Sequence, residues 1–425
     1  MKSHSSSDKP IPKMDLKFAQ VFGEKVPVDK VSDEDIITSL EFDQTGQYIA
    51  LGDKAGRLII FEENEGKGKS VEYQYLTELQ SHLREFDYLK SVEIEEKIIH
   101  IQWLRPQFKA LYLVSTNDKT IKLWKVTEKG IKKPVKNAQH SLFPKFQTVE
   151  TNHISHMQNS FPNLHTYNIN AISVSPNEEY LISSDDLRVN LWSLHDTQTA
   201  YNVIDLKPDN LDELSEVITT CNYHPIQDTI FLYATSKGIM EICDLRKGGA
   251  LNSNKCIHLT EKDDSTPKNF FTDIVSSVSS ATFSKNGRYV VSRDFLNLKI
   301  WDVNMPGQPV SKVCIYEPLK TKLCELYEND CIFERFDVTP SPCSNYFVTG
   351  NFNNNFNLVD RNGETNTMYE LSFNKKTINR QIPKKCTEQI GANYDYMRKV
   401  SKCAFHPKTS MAAFASLNCL FFYSC

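Results

Sequence analysis

A chain of 425 residues with 40% hydrophobic and 11% aromatic content is long for one compact core, so it divides into two or three domains or closes as one array of repeats. A net charge of -4 argues against attraction of the whole molecule to nucleic acid, and no apolar run approaches the roughly 18 residues of a membrane span. Only 15 glycines occur, about half the usual share of roughly 7%, and neither G-x-x-x-x-G-K-[ST] nor G-x-G-x-x-G is present, which speaks against a phosphate-cradling fold.

The first stretch, MKSHSSSDKPIPKMD, is polar and lacks the apolar core of a signal peptide, so a disordered tail is expected over 1–15. The 11 cysteines are odd in number and scattered, with no C-x-x-C. They read as reduced thiols of a cytoplasmic protein, with the nucleus as a second compartment.

From residue 16 onward one pattern recurs seven times, at 39–62, 100–125, 171–193, 220–244, 280–302, 335–360 and 402–424. Each copy has an alternating strand, a polar turn, a hydrophobic strand, a tight turn and a strand ending on an aromatic or acidic residue. The clearest copies end on Trp124-Lys125, Trp192-Ser193 and Trp301-Asp302. The acidic stretch from Glu85 runs into a new strand at Lys97.

This order resembles the WD40 repeat and implies an all-β fold, a seven-bladed propeller over 16–425. One four-stranded blade leaves its apolar faces bare, and neighbours packed around a ring cover them. LKFAQVFGE (16–24) is placed to supply the outer strand of the last blade, because the chain stops after that blade's third strand. Two unrelated β-sandwiches are the other solution, but sandwiches need not repeat strand-turn-strand-Trp seven times.

Strand order alone sorts the loops. Turns between second and third strands share one face with the blade-to-blade crossings, and the remaining connections lie on the opposite face. Acids outnumber bases on the crossing face: Asp33, Glu34, Asp35, Glu93, Glu95, Glu96, Asp185, Asp186, Asp209, Asp212, Glu213 and Glu216, against Lys54, Lys97, Lys119, Arg188 and Arg293. Such loops are expected to focus a negative potential near the ring centre and to favour basic ligands. Tyr167, Phe270, Phe271 and Phe333 are candidate apolar anchors. Any single Asp in such a turn has an equally good structural use, bonding nearby backbone amides.

Residues 208–217 predict a short helix capped by Asp209 or Asn210, with Leu211, Leu214 and Val217 spaced by three. These side chains either pin the helix to the ring or leave an edge for an amphipathic partner helix. The insertion at 127–162 follows the third strand of blade 2 and carries the basic run KGIKKPVK. It is either a projecting β-hairpin that grips a partner or a basic loop.

No catalytic motif emerges, and no cofactor or metal is expected. His224-Pro225 and His406-Pro407 hold equivalent turn positions and read as structural. His153 and His156 are potential metal ligands without an evident third.

EFDYLKSVEIEEKI (85–98) and NLHTYNINAISVSPNEEYLISSDDLRVNLW (163–192) resemble the two signature segments of the 55 kDa B-type regulatory subunits of protein phosphatase 2A. The resemblance extends through QSH (80–82), STNDKTIKLWK (115–125), EVITTCNYHP (216–225), VVSRDFLNLKIWDVNM (290–305) and KLCELYENDCIF (322–333). It implies a non-catalytic subunit of a heterotrimer, with a HEAT-repeat scaffold and a catalytic Ser/Thr phosphatase as partners. It further implies that the crossing face docks basic phosphoprotein substrates and helical inhibitors through Asp186, Leu214, Val217, Asp212, Lys54, Glu93, Glu95, Glu96, Tyr167 and Phe333. The insertion, with Lys132, Lys133, Phe143 and Phe146, would bind the scaffold, although it is shorter than the family's arm and unlike it. A general WD40 scaffold for other assemblies is the alternative.

Overall fold

Alternation in the inner strands and continuous apolar runs in the second strands dictate the architecture. In Tyr346–Gly350 and Met411–Ser416 every residue is buried, as expected of a strand covered on both faces by neighbouring sheets. The computed structural model describes residues 13–64, 71–88, 90–134, 146–247, 256–261, 270–373 and 395–425. Its strands form seven four-stranded antiparallel sheets, the blades, plus one small two-stranded sheet. The inner strands are Ile37–Phe42, His100–Gln107, Ala171–Val174, Ile218–Tyr223, Ser280–Phe283, Val338–Pro340 and Val400–Phe405, for blades 1 to 7 in turn.

The ring closes as the sequence predicts. Lys17–Phe22 pairs antiparallel with Cys419–Ser424 and becomes the outer strand of blade 7. Packing starts slightly earlier than expected. The Met14 amide donates to the Tyr346 hydroxyl and Asp15 accepts from Tyr369, so the inner end of the tail expected over 1–15 is packed, while residues 1–12 lie outside the described residues.

One backbone contact is repeated around the crossing face. The amide entering an inner strand donates to a carbonyl in the second-to-third turn of the preceding blade: Ile37 to Leu417, Ile98 to Asp53, Ile169 to Asp118, Ile218 to Asp186, and Val400 to Asn351. Five of the seven blades therefore hang from the turn before them. The crossings and those turns are one continuous rim.

The opposite face is made of turns capped by side chains. Asp43, Ser175, Ser284 and Ser341 accept from the amides of Tyr48, Tyr180, Tyr289 and Tyr346. His224 and His406 do the same in blades 4 and 7. The Nδ1 of His224 accepts from Ile226 and Gln227, and that of His406 from Lys408 and Thr409. Each ring then abuts a glycine of the next blade's turn. A Cβ on Gly287 (φ +72°) would lie 2.2 Å from His224 Nε2, and one on Gly46 (φ +83°) would lie 2.0 Å from His406 Nε2.

Burial holds both histidines below the usual 6.5, with a backbone contact to Gly287 or Gly46 opposing it. A neutral ring is what lets Nδ1 accept two amides. A histidine whose folded pKa is depressed contributes stability above its unfolded pKa, and that contribution is lost as pH falls toward the folded value. His406→Ala is therefore expected to cost about 1–2 kcal/mol at neutral pH, as lost caps do. The cost should shrink below pH 6.5, where the wild type loses the same contribution. Thermal melts of both proteins across this range measure it, and a gap that widens in acid would refute the assignment.

Two expectations are corrected, and a possibility left open for two histidines is closed. The stretch leading from Glu85 is a hairpin of its own, Glu85–Asp87 on Val92–Ile94, and the inner strand of blade 2 starts at His100 instead of Lys97. The helix expected over 208–217 is one 3-10 turn, Leu211–Glu213, because the chain must already be extended to enter blade 4 at Ile218. His153 and His156 both lie in Phe146–Ser160, three residues apart on a strand, so their side chains point to opposite faces and do not share a metal.

The cysteine reading also changes. The structure joins Cys243 to Cys256 across neighbouring strands, with Cα atoms 4.7 Å apart. A separation of 13 residues gave no C-x-x-C signal, and only strand pairing brings the two together.

Candidate functional site

The crossing rim is built from backbone turns whose own side chains set it. Where blade 3 hands over to blade 4, the Asn170 amide donates from Nδ2 to Asp186 Oδ1 at 2.7 Å and to the Ile218 carbonyl at 2.9 Å. Arg335 Nη1 donates to Asn170 Oδ1 at 3.4 Å. Burial pulls the Arg335 guanidinium below its usual range, with Asp186 opposing. Asp186 thus sits half-buried beside this crossing, joined to the strand that Val217 leads into. Val217 donates to Ser236 Oγ and is half-buried, while Leu214 and Asp212 are exposed beside it.

The neighbouring carboxylate does something else. Asp185 and His165 are both 1% exposed, with Oδ2 and Nδ1 2.9 Å apart. The other ring nitrogen, Nε2, lies 2.6 Å from Ser183 Oγ, which also accepts from Trp192 Nε1 at 2.8 Å. Asp185 Oδ1 further accepts from the amides of Leu187 and Arg188. This buried chain locks blade 3, and Asp185 is not available to a ligand.

Other charges expected on the rim are matched or hidden. Lys54 pairs with Asp33 at 2.9 Å, Arg57 with Asp35 at 2.6 Å, and Arg84 with Glu93. Arg293 is fully buried, its guanidinium 4.7 Å from the Tyr316 ring centroid, and adds nothing to the face. The exposed acids that remain are Glu34, Glu95, Asp209, Asp212 and Glu213, with Glu96 half-buried.

The axis carries cations besides the counted Lys97. Burial lowers the Lys97 ammonium, with Lys402, Lys54 and Lys399 adding to the fall and Glu95 opposing it. Burial also takes His100 down to about 4, helped by Lys402 and Arg335. Lys402 pairs with Asp337 at 3.1 Å, and Lys399 with Glu334. The negative focus expected at the centre is therefore opposed by Lys97, Lys399 and Lys402, the last two paired with Glu334 and Asp337. The inner strands and their entries supply these bases, and Lys399, Lys402 and Arg335 carried no weight in a count taken over acidic loops.

Aromatic residues gather on the blade 5 to blade 6 side. Phe270, Tyr327 and Phe333 are 65%, 40% and 55% exposed. Tyr327 is the hub, with ring centroids 5.6 Å from Phe270, 6.0 Å from Phe271 and 5.8 Å from Phe333. Sequence reasoning named the phenylalanines but missed Tyr327, whose exposure depends on how Phe270–Ser276 and Leu323–Glu328 pack. Tyr167 stands apart, lining a hollow of about 100 Å³ with Arg188 and Lys207.

On the far side of the ring, Ile121–Pro134 and Phe146–Ser160 pair along their length from Lys122↔Ser160 to Pro134↔Phe146. Beyond Thr127 these strands have no third neighbour among the described residues, so 128–134 forms an arm of roughly 20 Å. Lys132, Lys133 and Phe146 lie on this arm by backbone position, and Phe143 falls outside the described residues.

The central cavity, about 540 Å³, opens among the inner strands. Burial pushes Glu41 there up to about 8, with Lys285 and Gln102 opposing. Glu41 Oε1 accepts from Gln102 Nε2 at 2.7 Å and its carbonyl from Trp103 Nε1 at 3.1 Å, which clamps blade 1 to blade 2. Among the described residues no helix is long and apolar enough to cross a membrane.

The WD domain, G-beta repeat profile matches residues 158–193, the span that holds His165, Ser183, Asp185 and Trp192. A B-type PP2A regulatory subunit from Schizosaccharomyces pombe is 40% identical over 96% of this chain and 97% of its own. The serine/threonine-protein phosphatase 2A regulatory subunit phr2AB of Dictyostelium discoideum is 38% identical over 97% and 98%. The protein phosphatase PP2A 55 kDa regulatory subunit of Drosophila melanogaster is 38% identical over 93% and 84%. The relatives are regulatory rather than catalytic subunits and match nearly end to end, so this seven-bladed WD40 propeller belongs to the B (55 kDa) family of protein phosphatase 2A regulatory subunits.

Proposed function

We propose that the chain is the substrate-specifying subunit of a protein phosphatase 2A heterotrimer. In this reading it docks basic phosphoproteins and helical inhibitors on the crossing rim and directs a catalytic subunit to them. The far side of the ring, with the arm at 128–134, faces a HEAT-repeat scaffold through Lys132, Lys133, Phe143 and Phe146. The observation that carries the proposal is the end-to-end similarity to PP2A regulatory subunits, supported by the bond from the Ile218 amide, next in the chain to Val217, to the Asp186 carbonyl.

Asp186 takes a Lys or Arg of the client. It is half-buried, and opposed charges are worth more there than on an open surface. Leu214 and Val217 take the apolar edge of a client helix. Asp212, Glu95 and Glu96 add long-range attraction, and Phe333 offers an anchor within the aromatic patch. Glu93, Lys54 and Tyr167 border the same rim, the first two already engaged with Arg84 and Asp33.

Asp186→Lys is expected to weaken client binding at least about tenfold, since it sets an ammonium against the client's Lys or Arg. Assembly with scaffold and catalytic subunit should be unchanged. Co-purification from the native cell, with phosphatase assay of the eluate, tests both statements. An eluate without scaffold and phosphatase would remove the proposal and favour a general WD40 scaffold. Loss of assembly in Asp186→Lys would mean that the two faces are assigned the wrong way round.

A further inference from the structure

Blade 4 carries a cluster that docking does not use. Its third strand, Met240–Asp244, pairs with the outer strand Ile257–Leu259 in the register Glu241↔His258 and Ile242↔Ile257. Continuing that register sets Cys243 opposite Cys256. Residues two apart on a strand share a face, so Glu241, Cys243, Cys256 and His258 all project to one side. Ligand atoms of Glu241, Cys243 and Cys256 lie within 4.8 Å of one another. His258 Nδ1 is 3.0 Å from Glu241 Oε1.

The surroundings suit an ion better than four unrelated side chains. Glu241 is 6% exposed, and no Lys or Arg pairs with it among the described residues. Its other oxygen accepts from the Tyr233 hydroxyl at 2.7 Å, the kind of contact that orients a ligating carboxylate. Cys243 is fully buried in the apolar layer between blades 3 and 4, beside Val203, Ile204 and Phe231. Cys256 is half-buried and His258 exposed, which leaves a way in at the sheet edge.

We infer that the reduced form of this cross-strand cluster is a zinc site, with Cys243 and Cys256 thiolates, Glu241 and His258 as its four ligands. Two thiolates with an imidazole and a carboxylate are the donor set that Zn²⁺ takes in tetrahedral geometry. Metal–sulfur bonds of about 2.3 Å put neighbouring donors on the order of 4 Å apart, so the two sulfurs, bonded to each other here, must separate on reduction, while Glu241 and His258 already stand beside them. Binding requires the disulfide to be reduced first, for instance by a dithiol, which supplies two electrons and two protons and leaves as its own disulfide, and each cysteine thiol then releases its proton to the solvent as the metal enters. The ion would replace the disulfide as the staple of a three-residue outer strand.

The test uses the full chain reduced with a trialkylphosphine, which opens the S–S bond to two thiols while the phosphine takes oxygen from water. After the phosphine is removed without air, cobalt(II) is added as the probe. One cobalt per chain is expected, with a thiolate charge-transfer band and tetrahedral visible bands, all displaced by zinc. Cys256→Ser should weaken binding at least about tenfold and His258→Ala should alter the visible bands, while Cys343→Ser, at an exposed thiol, changes nothing. Zinc should raise the melting temperature of the reduced wild type and leave that of Cys256→Ser unmoved. Reduced protein that binds no cobalt, or a charge-transfer band that survives Cys256→Ser, overturns the assignment. Because Cys256 is only half-buried, its serine variant tests the site without emptying the core, and a circular dichroism spectrum like that of the wild type verifies its fold.

Discussion

Alanine at Gly350 is expected to lower the melting temperature by several degrees, by forcing blades 6 and 7 apart. Gly350 ends the second strand of blade 6, where the inner strand of blade 7 begins. A Cβ there would lie 1.6 Å from the Val400 carbonyl oxygen. That oxygen is backbone, and the Val400 amide is already fixed to Asn351 at 2.9 Å, so neither side can yield alone. A cost of about 3 kcal/mol is expected, at the upper end of overpacking effects. Gly52 occupies the same position in blade 1, where a Cβ would meet Ile98 at 2.6 Å. Gly307→Ala is the control, since nothing lies within 4 Å of its added methyl. Equal melting temperatures for the Gly350 and Gly307 variants would show that the ring tolerates the separation.

Adjacent aspartates should separate stability from docking. Asp185→Ala removes the acceptor of a buried histidine and of two turn amides at once. Each buried partner left without its acceptor costs about 1–3 kcal/mol, so this variant should unfold well below the wild type or fail to accumulate. Asp186→Lys gives up the hydrogen bond from Asn170 and faces Arg335, so it should melt modestly below the wild type, but well above Asp185→Ala, while losing clients. Burial pushes the Asp185 carboxyl up, but the hydrogen bonds from His165, Leu187 and Arg188 outweigh it and hold it below 3.8. A depressed folded pKa means that this contribution is present above the unfolded value and is lost as pH falls through the folded one. The gap between Asp185→Ala and wild type should therefore narrow only in strong acid. If Asp185→Ala proves as stable as Asp186→Lys, the buried chain through Trp192 does not hold blade 3.

The two aspartates also mark where sequence reading stops. Both belong to SSDDLR, and periodicity gives them the same loop and the same face. Which one is buried depends on His165, 20 residues away, and on Ser183 behind it. The charge count failed for a similar reason. Arg293 was counted as a rim cation but is enclosed by Tyr316 and Phe336, whereas Lys402, in the inner strand of blade 7, lines the central cavity. The short helix expected at 208–217 had the right spacing, but Ile218 must be extended to bond Asp186, and that contact ends it after one turn.

What the chain's own letters determined is the ring: seven alternating strand groups with bare apolar faces, and an N-terminal strand to complete the last of them. Hydrophobic burial is additive over such repeats and needs only pattern, so pattern was enough to find it. The family strings were legible for the same reason, since they are local. Tertiary structure alone decided which carboxylates are open, which cations reach the axis, that Tyr327 joins three phenylalanines, and that Cys243 meets Cys256. Those outcomes depend on distances between residues far apart in sequence, fixed only once the blades are packed on one another.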